Sequence, residues 1–228
     1  MGMKMKTEIR KFESLTYIVR FPDNYVDGEK YPVIFFLHGA GGRGNNIEVL
    51  KENPYFTLTE KHKDFSFITV APQCSGESWF DLFEQVKRLL IKTANESFTD
   101  PERIYGMGAS MGGYGTWQLA MSMPEYFAAI APICGGGMYW LAYRLVNVPA
   151  WAFHGALDNV VNPEESIKMA AAVNNGGGNA KITIYPKNDH DAWSNTYSNR
   201  EVFDWLLEQK NENAGQITNT FEGSEIFG

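Results

Sequence analysis

From residue 31 onward, short apolar runs alternate with segments whose apolar residues recur at helical spacing. This order predicts strands at 31–38, 65–71, 103–107, 127–132, 148–154 and 180–185. Helices are predicted at 80–94, 114–121, 164–173 and 199–209. Val33-Ile34-Phe35-Phe36-Leu37 is apolar without a break, the pattern of a strand covered on both faces and therefore central. In the helix over 80–94, Leu82, Phe83, Val86, Leu89 and Leu90 fall at i, i+3 and i+4, which gives it one face to lay on a sheet. An earlier strand at 15–20 belongs to a hairpin-like N-terminal region and is ended by Pro22-Asp23-Asn24. Asn175-Gly176-Gly177-Gly178-Asn179 ends the helix over 164–173, since glycine accepts the left-handed turn that closes a helix. Strand alternating with helix predicts an α/β fold with a mostly parallel central sheet flanked by helices.

The length of 228 residues suits one such domain, expected over residues 1–210, followed by a polar, glycine-rich tail over 211–228 that is weakly ordered or packed on the surface. Composition narrows the partners. A net charge of −7 argues against nucleic acid, which requires a clustered excess of Lys and Arg. No apolar stretch is long enough to span a bilayer and no signal-peptide pattern opens the chain, so the expectation is a cytoplasmic protein without a membrane partner, with secretion the alternative if a leader has been removed. Oligomeric state is not indicated. Cys74 and Cys134 lack C-x-x-C spacing and read as small buried hydrophobes. Both lie just past predicted strands, which leaves a bridge between them open.

One pentapeptide changes the picture. Gly108-Ala109-Ser110-Met111-Gly112 is G-x-S-x-G, set between a predicted strand and a predicted helix, so Ser110 falls on the sharp turn where a nucleophile is presented. A hydroxyl needs a base to take its proton and an acid to orient that base. Asp158 and His190 follow in the loops after two later strands, in the chain order nucleophile, acid, base. All three then lie beyond the carboxyl ends of strands, where open parallel sheets bind ligands. Of the other histidines, His38 and His154 sit at strand ends as loop stabilisers, and His62 lies in a solvated charge run. Asp189 and Asp191 adjoin His190 too closely in sequence to reach its ring in triad geometry, which leaves them as solvent-facing alternatives to Asp158.

Acyl transfer also requires donors for the oxygen that becomes negative. The loop His38-Gly39-Ala40-Gly41-Gly42 offers the N–H of Ala40 or Gly41, and the N–H of Met111 offers the second donor. The glycines do not match nucleotide-binding spacing, and no metal cluster or cofactor is expected. Four aromatic residues are candidates for substrate contacts, Trp79, Tyr139, Trp140 and Trp193, with the alternatives that Trp79 is the first core residue of its helix and that the other three serve ordinary packing. Only about fifteen residues separate Ile133 from Pro149, too few for a large lid domain.

The motifs His38-Gly39-Ala40-Gly41-Gly42, Gly108-Ala109-Ser110-Met111-Gly112-Gly113, His154-Gly155-Ala156-Leu157-Asp158 and His190-Asp191-Ala192-Trp193 together resemble those of α/β-hydrolases. More narrowly, the chain is similar over residues 31–210 to single-domain carboxylesterases and "predicted peptidases" related to the phospholipase/carboxylesterase, polyhydroxybutyrate depolymerase and feruloyl esterase groups. Ala109 departs from the commoner elbow, which carries a larger residue before the serine. The resemblance implies the α/β-hydrolase fold and a serine carboxylic ester hydrolase that forms an acyl-enzyme. Its substrate would be a small-molecule ester, short-chain or aromatic, including feruloyl or acetyl groups linked to polysaccharide. A serine peptidase using the same machinery is the first alternative. A non-catalytic binding protein of the same fold is the second.

Overall fold

The computed structural model describes residues 5–214, and its organising element is an eight-stranded sheet. In chain order the strands are β1 (Thr7–Phe12), β2 (Leu15–Arg20), β3 (Tyr31–Leu37), β4 (Ile68–Pro72), β5 (Thr99–Ala109), β6 (Ala129–Ile133), β7 (Ala150–Gly155) and β8 (Ala180–Tyr185). They lie in the order β1-β2-β4-β3-β5-β6-β7-β8. The β1–β2 and β2–β4 pairings are antiparallel. From β4 across to β8 every pairing is parallel.

The helices are α1 (Glu48–Lys51), α2 (Pro54–Thr59), α3 (Phe83–Ala94), α4 (Met111–Ser122), α5 (Glu164–Asn175), α6 (Trp193–Ser198) and α7 (Arg200–Glu208). They cover both faces. Val33, Phe35 and Leu37 of β3 enter one apolar cluster with Leu89, Trp117 and Met169, while Ile34 and Phe36 enter the other with Tyr55, Tyr197 and Phe203. This is the two-sided burial that the unbroken apolar run of β3 requires. No helix among the described residues is long and apolar enough to cross a membrane.

The strands at 15–20 and 180–185 have the bounds read from the sequence, and several other elements differ. β4 begins at Ile68 rather than at 65, because Asp64 turns the chain with φ 58° and directs Phe65 and Phe67 against Phe203. The helix expected from 80 opens as a 3-10 turn over Trp79–Leu82, with Ser78 and Asp81 forming a capping box, before α3 begins. Helices α1, α2 and α6 were not read from the sequence. Of these α2 carries a start signal, Asn53 accepting from the Tyr55 N–H at 3.0 Å with Pro54 at the first helical position.

At the end of α5 it is Gly177, not the whole glycine run, that takes the left-handed conformation, with φ 87°. Gly178 N–H donates to Val173 O and Gly177 N–H to Asn174 O, the paired bonds of a Schellman motif. Cys74 and Cys134 are both free and buried, so no bridge joins them. Of the expected tail, 211–214 fold back, Asn211 N–H donating to Glu102 O; the remainder lies outside the described residues.

The chain leaves β3 toward β4 on one side and returns to form β5 on the other. A crevice opens at this reversal, beyond the carboxyl ends of β3 and β5.

Candidate active site

Ser110 stands at the end of β5 with φ 57° and ψ −120°, a conformation that side-chain-bearing residues seldom adopt. The turn is tight because α4 starts at the next residue and passes close to the end of β3. A Cβ on Gly112 would collide with the Leu37 carbonyl oxygen, so the backbone approach admits only glycine there. Ser110 N–H donates to Ile133 O at 2.9 Å, which ties the turn to β6.

His190 lies in the loop after β8 and Asp158 in the loop after β7. Ser110 Oγ is 2.9 Å from His190 Nε2, and His190 Nδ1 is 2.7 Å from Asp158 Oδ2. A carboxylate can only accept, so Nδ1 carries the proton and Nε2 is left to accept from the serine hydroxyl. The structure therefore brings the three sequence candidates into one continuous chain of hydrogen bonds. Asp189 and Asp191 stay outside it: Asp191 accepts from the N–H and hydroxyl of Ser194.

Asp158 is 8% exposed, and its bonding saturates the carboxylate. Oδ1 accepts the N–H groups of Val160 and Val161, both at 2.9 Å. Oδ2 is shared by His190 and by His154 Nε2, the latter at 3.1 Å. Burial pushes the Asp158 carboxyl up, yet the hydrogen bonds from His190, Val161 and Val160 outweigh it and hold the group below its ordinary value. His154 is fixed in turn by Ser166, whose hydroxyl lies 2.8 Å from Nδ1 and donates to Gly135 O at 2.7 Å. His154 thus braces the acid loop, as its place at a strand end suggested. Ser166 was not read from the sequence, since a serine twelve residues on in a helix carries no motif.

On the other side of Ser110, the loop after β3 forms a 3-10 turn over Ala40–Gly42. Gly42 N–H and Arg43 N–H close this turn onto Gly39 O and Ala40 O. No hydrogen bond among the described residues uses the N–H of Ala40, Gly41 or Met111. Ala40 and Gly41 line the crevice beside Ser110, and Met111 is the first residue of α4, where an N–H has no helical partner.

His38 anchors the loop from within the protein. Its Nε2 accepts the Cys74 N–H at 2.9 Å, so Nδ1 bears the proton and donates to Gly39 O at 2.6 Å. Burial pushes His38 down to about 4, which keeps it neutral near pH 7. Gln73 Nε2 adds bonds to Gly42 O and Asn46 O.

The aromatic candidates divide. Trp193 lines the crevice and stands edge-on to the His190 ring at 5.2 Å between centroids. Trp79 does not reach it. Only 1% exposed, Trp79 packs in the core and donates Nε1–H to His38 O at 2.9 Å, so it supports the glycine loop from behind rather than walling a pocket. Tyr139 and Trp140 also fall outside the lining, at 53% and 61% exposed on a 3-10 segment that packs on α5. The residues the sequence reading missed include Phe36, Val49, Pro54, Val160 and Tyr197, which form most of the wall of a crevice of about 560 Å³, with Glu52 and Asn53 as polar additions. Val49 and Pro54 come from α1 and α2, the short helices whose presence the apolar periodicity does not signal.

Cys134 Sγ, Asp158 and His190 offer ligand atoms within 4.8 Å of one another. Two of the three already bond each other, and burial pushes the Cys134 thiol up, so this group is poorly disposed to hold a cation.

Comparison with known proteins decides the family. The profile of the dienelactone hydrolase family matches residues 27–216, well over half of the sequence. The chain belongs to the dienelactone hydrolase family. The α/β-hydrolase architecture of this family is also that of solved structures similar to the chain. A thermostable esterase superposes with a TM-score of 0.75 at 32% identity, covering 90% of this chain and 63% of that one. A ferulic acid esterase superposes with a TM-score of 0.66 at 16% identity, covering 88% and 97%. Among curated proteins, "Probable feruloyl esterase C" of Aspergillus oryzae is 26% identical over 176 residues, 74% of this chain and 64% of that protein. "Probable dipeptidyl-aminopeptidase B" of Coccidioides posadasii is 22% identical over 237 residues, 85% of this chain and 26% of that protein. The chain therefore spans a little under two thirds of the esterase relatives it matches first.

Proposed function

We propose that this member of the dienelactone hydrolase family is a serine carboxylic ester hydrolase acting through Ser110, His190 and Asp158. The observation that carries the reading is the unbroken run of hydrogen bonds from Ser110 Oγ through His190 to Asp158, opening onto an apolar crevice. His190 Nε2 takes the Ser110 proton as Oγ bonds to the ester carbonyl carbon, and the carbonyl oxygen becomes negative between the N–H groups of Met111 and of Ala40 or Gly41. Collapse of this intermediate breaks the ester C–O bond, and His190 returns the proton to the departing alcohol. Water, deprotonated by the same nitrogen, then releases the acid and restores the Ser110 hydroxyl. Asp158 holds the Nδ1–H tautomer throughout and offsets the charge that His190 acquires.

The substrate class we infer is short-chain or aromatic esters, feruloyl and acetyl groups included. The apolar walls, Trp193 and the short connection between β6 and β7 support it, as do the feruloyl esterases among the relatives. A panel of p-nitrophenyl esters from acetate to palmitate, methyl ferulate and an aminoacyl anilide tests the reading. Turnover of short esters or ferulate, lowered in kcat by roughly 10⁴ to 10⁶ in Ser110→Ala, is expected. Turnover of the anilide alone would favour a peptidase instead.

A further inference from the structure

A second cavity, of about 420 Å³, lies between the N-terminal strands and α2. Its wall includes Arg20, the last residue of β2, which is 3% exposed. The guanidinium has five N–H groups and finds three acceptors: Phe56 O at 3.1 Å, Thr59 Oγ1 at 2.7 Å and Thr69 Oγ1 at 3.4 Å. All three are neutral, and Nε is left without a partner. The rings of Tyr55, Phe56 and Phe65 surround the carbon of the guanidinium at 5.3, 4.9 and 5.1 Å. Among the described residues no carboxylate forms an ion pair with it, and the nearest influences from acids, Glu60 and Asp23, act only at a distance.

An arginine stays charged in a protein, so a buried guanidinium without a counter-ion is costly. Aromatic faces recover part of that cost and leave the unused N–H donors unsatisfied. The remainder of the cavity is mixed in a way that suits a particular ligand. Met5, Ile18 and Phe56 supply apolar wall, Thr7 and Thr57 supply hydroxyls, and Lys51 adds a second cation, its ammonium 2.8 Å from the Glu48 carboxylate. Its volume is in the range of small-molecule sites.

We propose that this cavity binds an organic monocarboxylate with an apolar body, the carboxylate on Arg20 and the body against Ile18, Phe56 and Met5. A carboxylate accepts from the guanidinium N–H groups that the three neutral acceptors leave over and supplies the missing anion. Lys51 draws the acid in, and Glu60, which also lines the cavity, opposes it. This inference is independent of the hydrolase reading, because Ser110 and its partners line the other crevice.

The test is a titration of the full chain with cinnamate, followed by the ¹³C-methyl resonances of Ile18 and Met5, with neutral cinnamyl alcohol as control. Saturable shifts at both methyls are expected, with the alcohol weaker by about tenfold or more. Lys51→Gln should weaken cinnamate binding by about two- to fivefold and Glu60→Gln should strengthen it by a similar factor. Arg20→Met should abolish the shifts. Should that variant fail to fold, the opposite responses of the Lys51 and Glu60 variants decide alone. Shifts confined to the methyls of Val49 and Val160 in the other crevice, equal binding of the alcohol, or Lys51 and Glu60 variants that respond alike would overturn the proposal.

Discussion

Around Ser110 the backbone sets the geometry, whereas around Asp158 and His190 side-chain hydrogen bonds set it. The elbow is a turn at φ 57° wedged between β3, β6 and α4, with close contacts of main chain on main chain. The acid loop instead hangs from Asp158, whose two oxygens take four bonds, and from the brace of His154 and Ser166 behind it. The glycine loop is intermediate, its donors placed by main-chain turns and its position held by His38, Gln73 and Trp79. A nucleophile presented by backbone tolerates little change in shape. A base presented by side chains is sensitive to single atoms.

That contrast is sharpened first at Asp158. Asp158→Asn preserves shape but removes the charge and the acceptor that fix the His190 tautomer, and kcat should fall by about 10⁴ while KM changes little. Steady-state rates on a short p-nitrophenyl ester measure this, and a loss below about tenfold would mean that the carboxylate does not orient the base.

The second effect concerns the glycine-loop anchor. With His38 held down at about 4 against 6.5 for an unhindered imidazole, the unfolded chain binds the extra proton before the folded chain does. Stability from this group is complete above pH 6.5 and is lost as pH falls toward 4, by about 3 kcal/mol in all. Urea midpoints across that window should fall in the native chain and fall less steeply in His38→Gln. Equal slopes would show that His38 does not stay neutral in the fold.

The smallest effects separate the aromatic residues. Trp193→Ala should lower kcat/KM for an aromatic ester by about tenfold, since the ring faces both the crevice and His190. Trp140→Ala, at an exposed position outside the lining, should leave the rate unchanged and shift stability by no more than about 0.5 kcal/mol.

The same contrast explains how much could be read from the sequence. Backbone demands leave marks at fixed spacing: Gly108, Gly112 and Gly113 around Ser110, and the apolar run of β3, located the elbow and the central strand. The order of Ser110, Asp158 and His190 named the residues the structure brings together. Ser166 and Gly135, which complete the brace behind Asp158, are distant in sequence and leave no pattern. Trp79 opens a helical turn, where an aromatic residue looks the same in the sequence whether it faces the crevice or the core; its bond to His38 O places it behind the glycine loop. The short helices α1 and α2 escaped because one or two turns are too few to show a period, although Asn53-Pro54 carries a start signal. Arg20 ends an ordinary strand pattern, and only the packing of α2 over it reveals a buried cation.

In the proposed mechanism Ser110, activated by His190, is the nucleophile. Labelling with a fluorophosphonate, followed by mass spectrometry of the digested protein, checks this assignment. One adduct is expected, on Ser110, absent from Ser110→Ala and formed at a greatly reduced rate in His190→Ala. An adduct on another residue, or ester turnover by Ser110→Ala at a rate near that of the native chain, would contradict it.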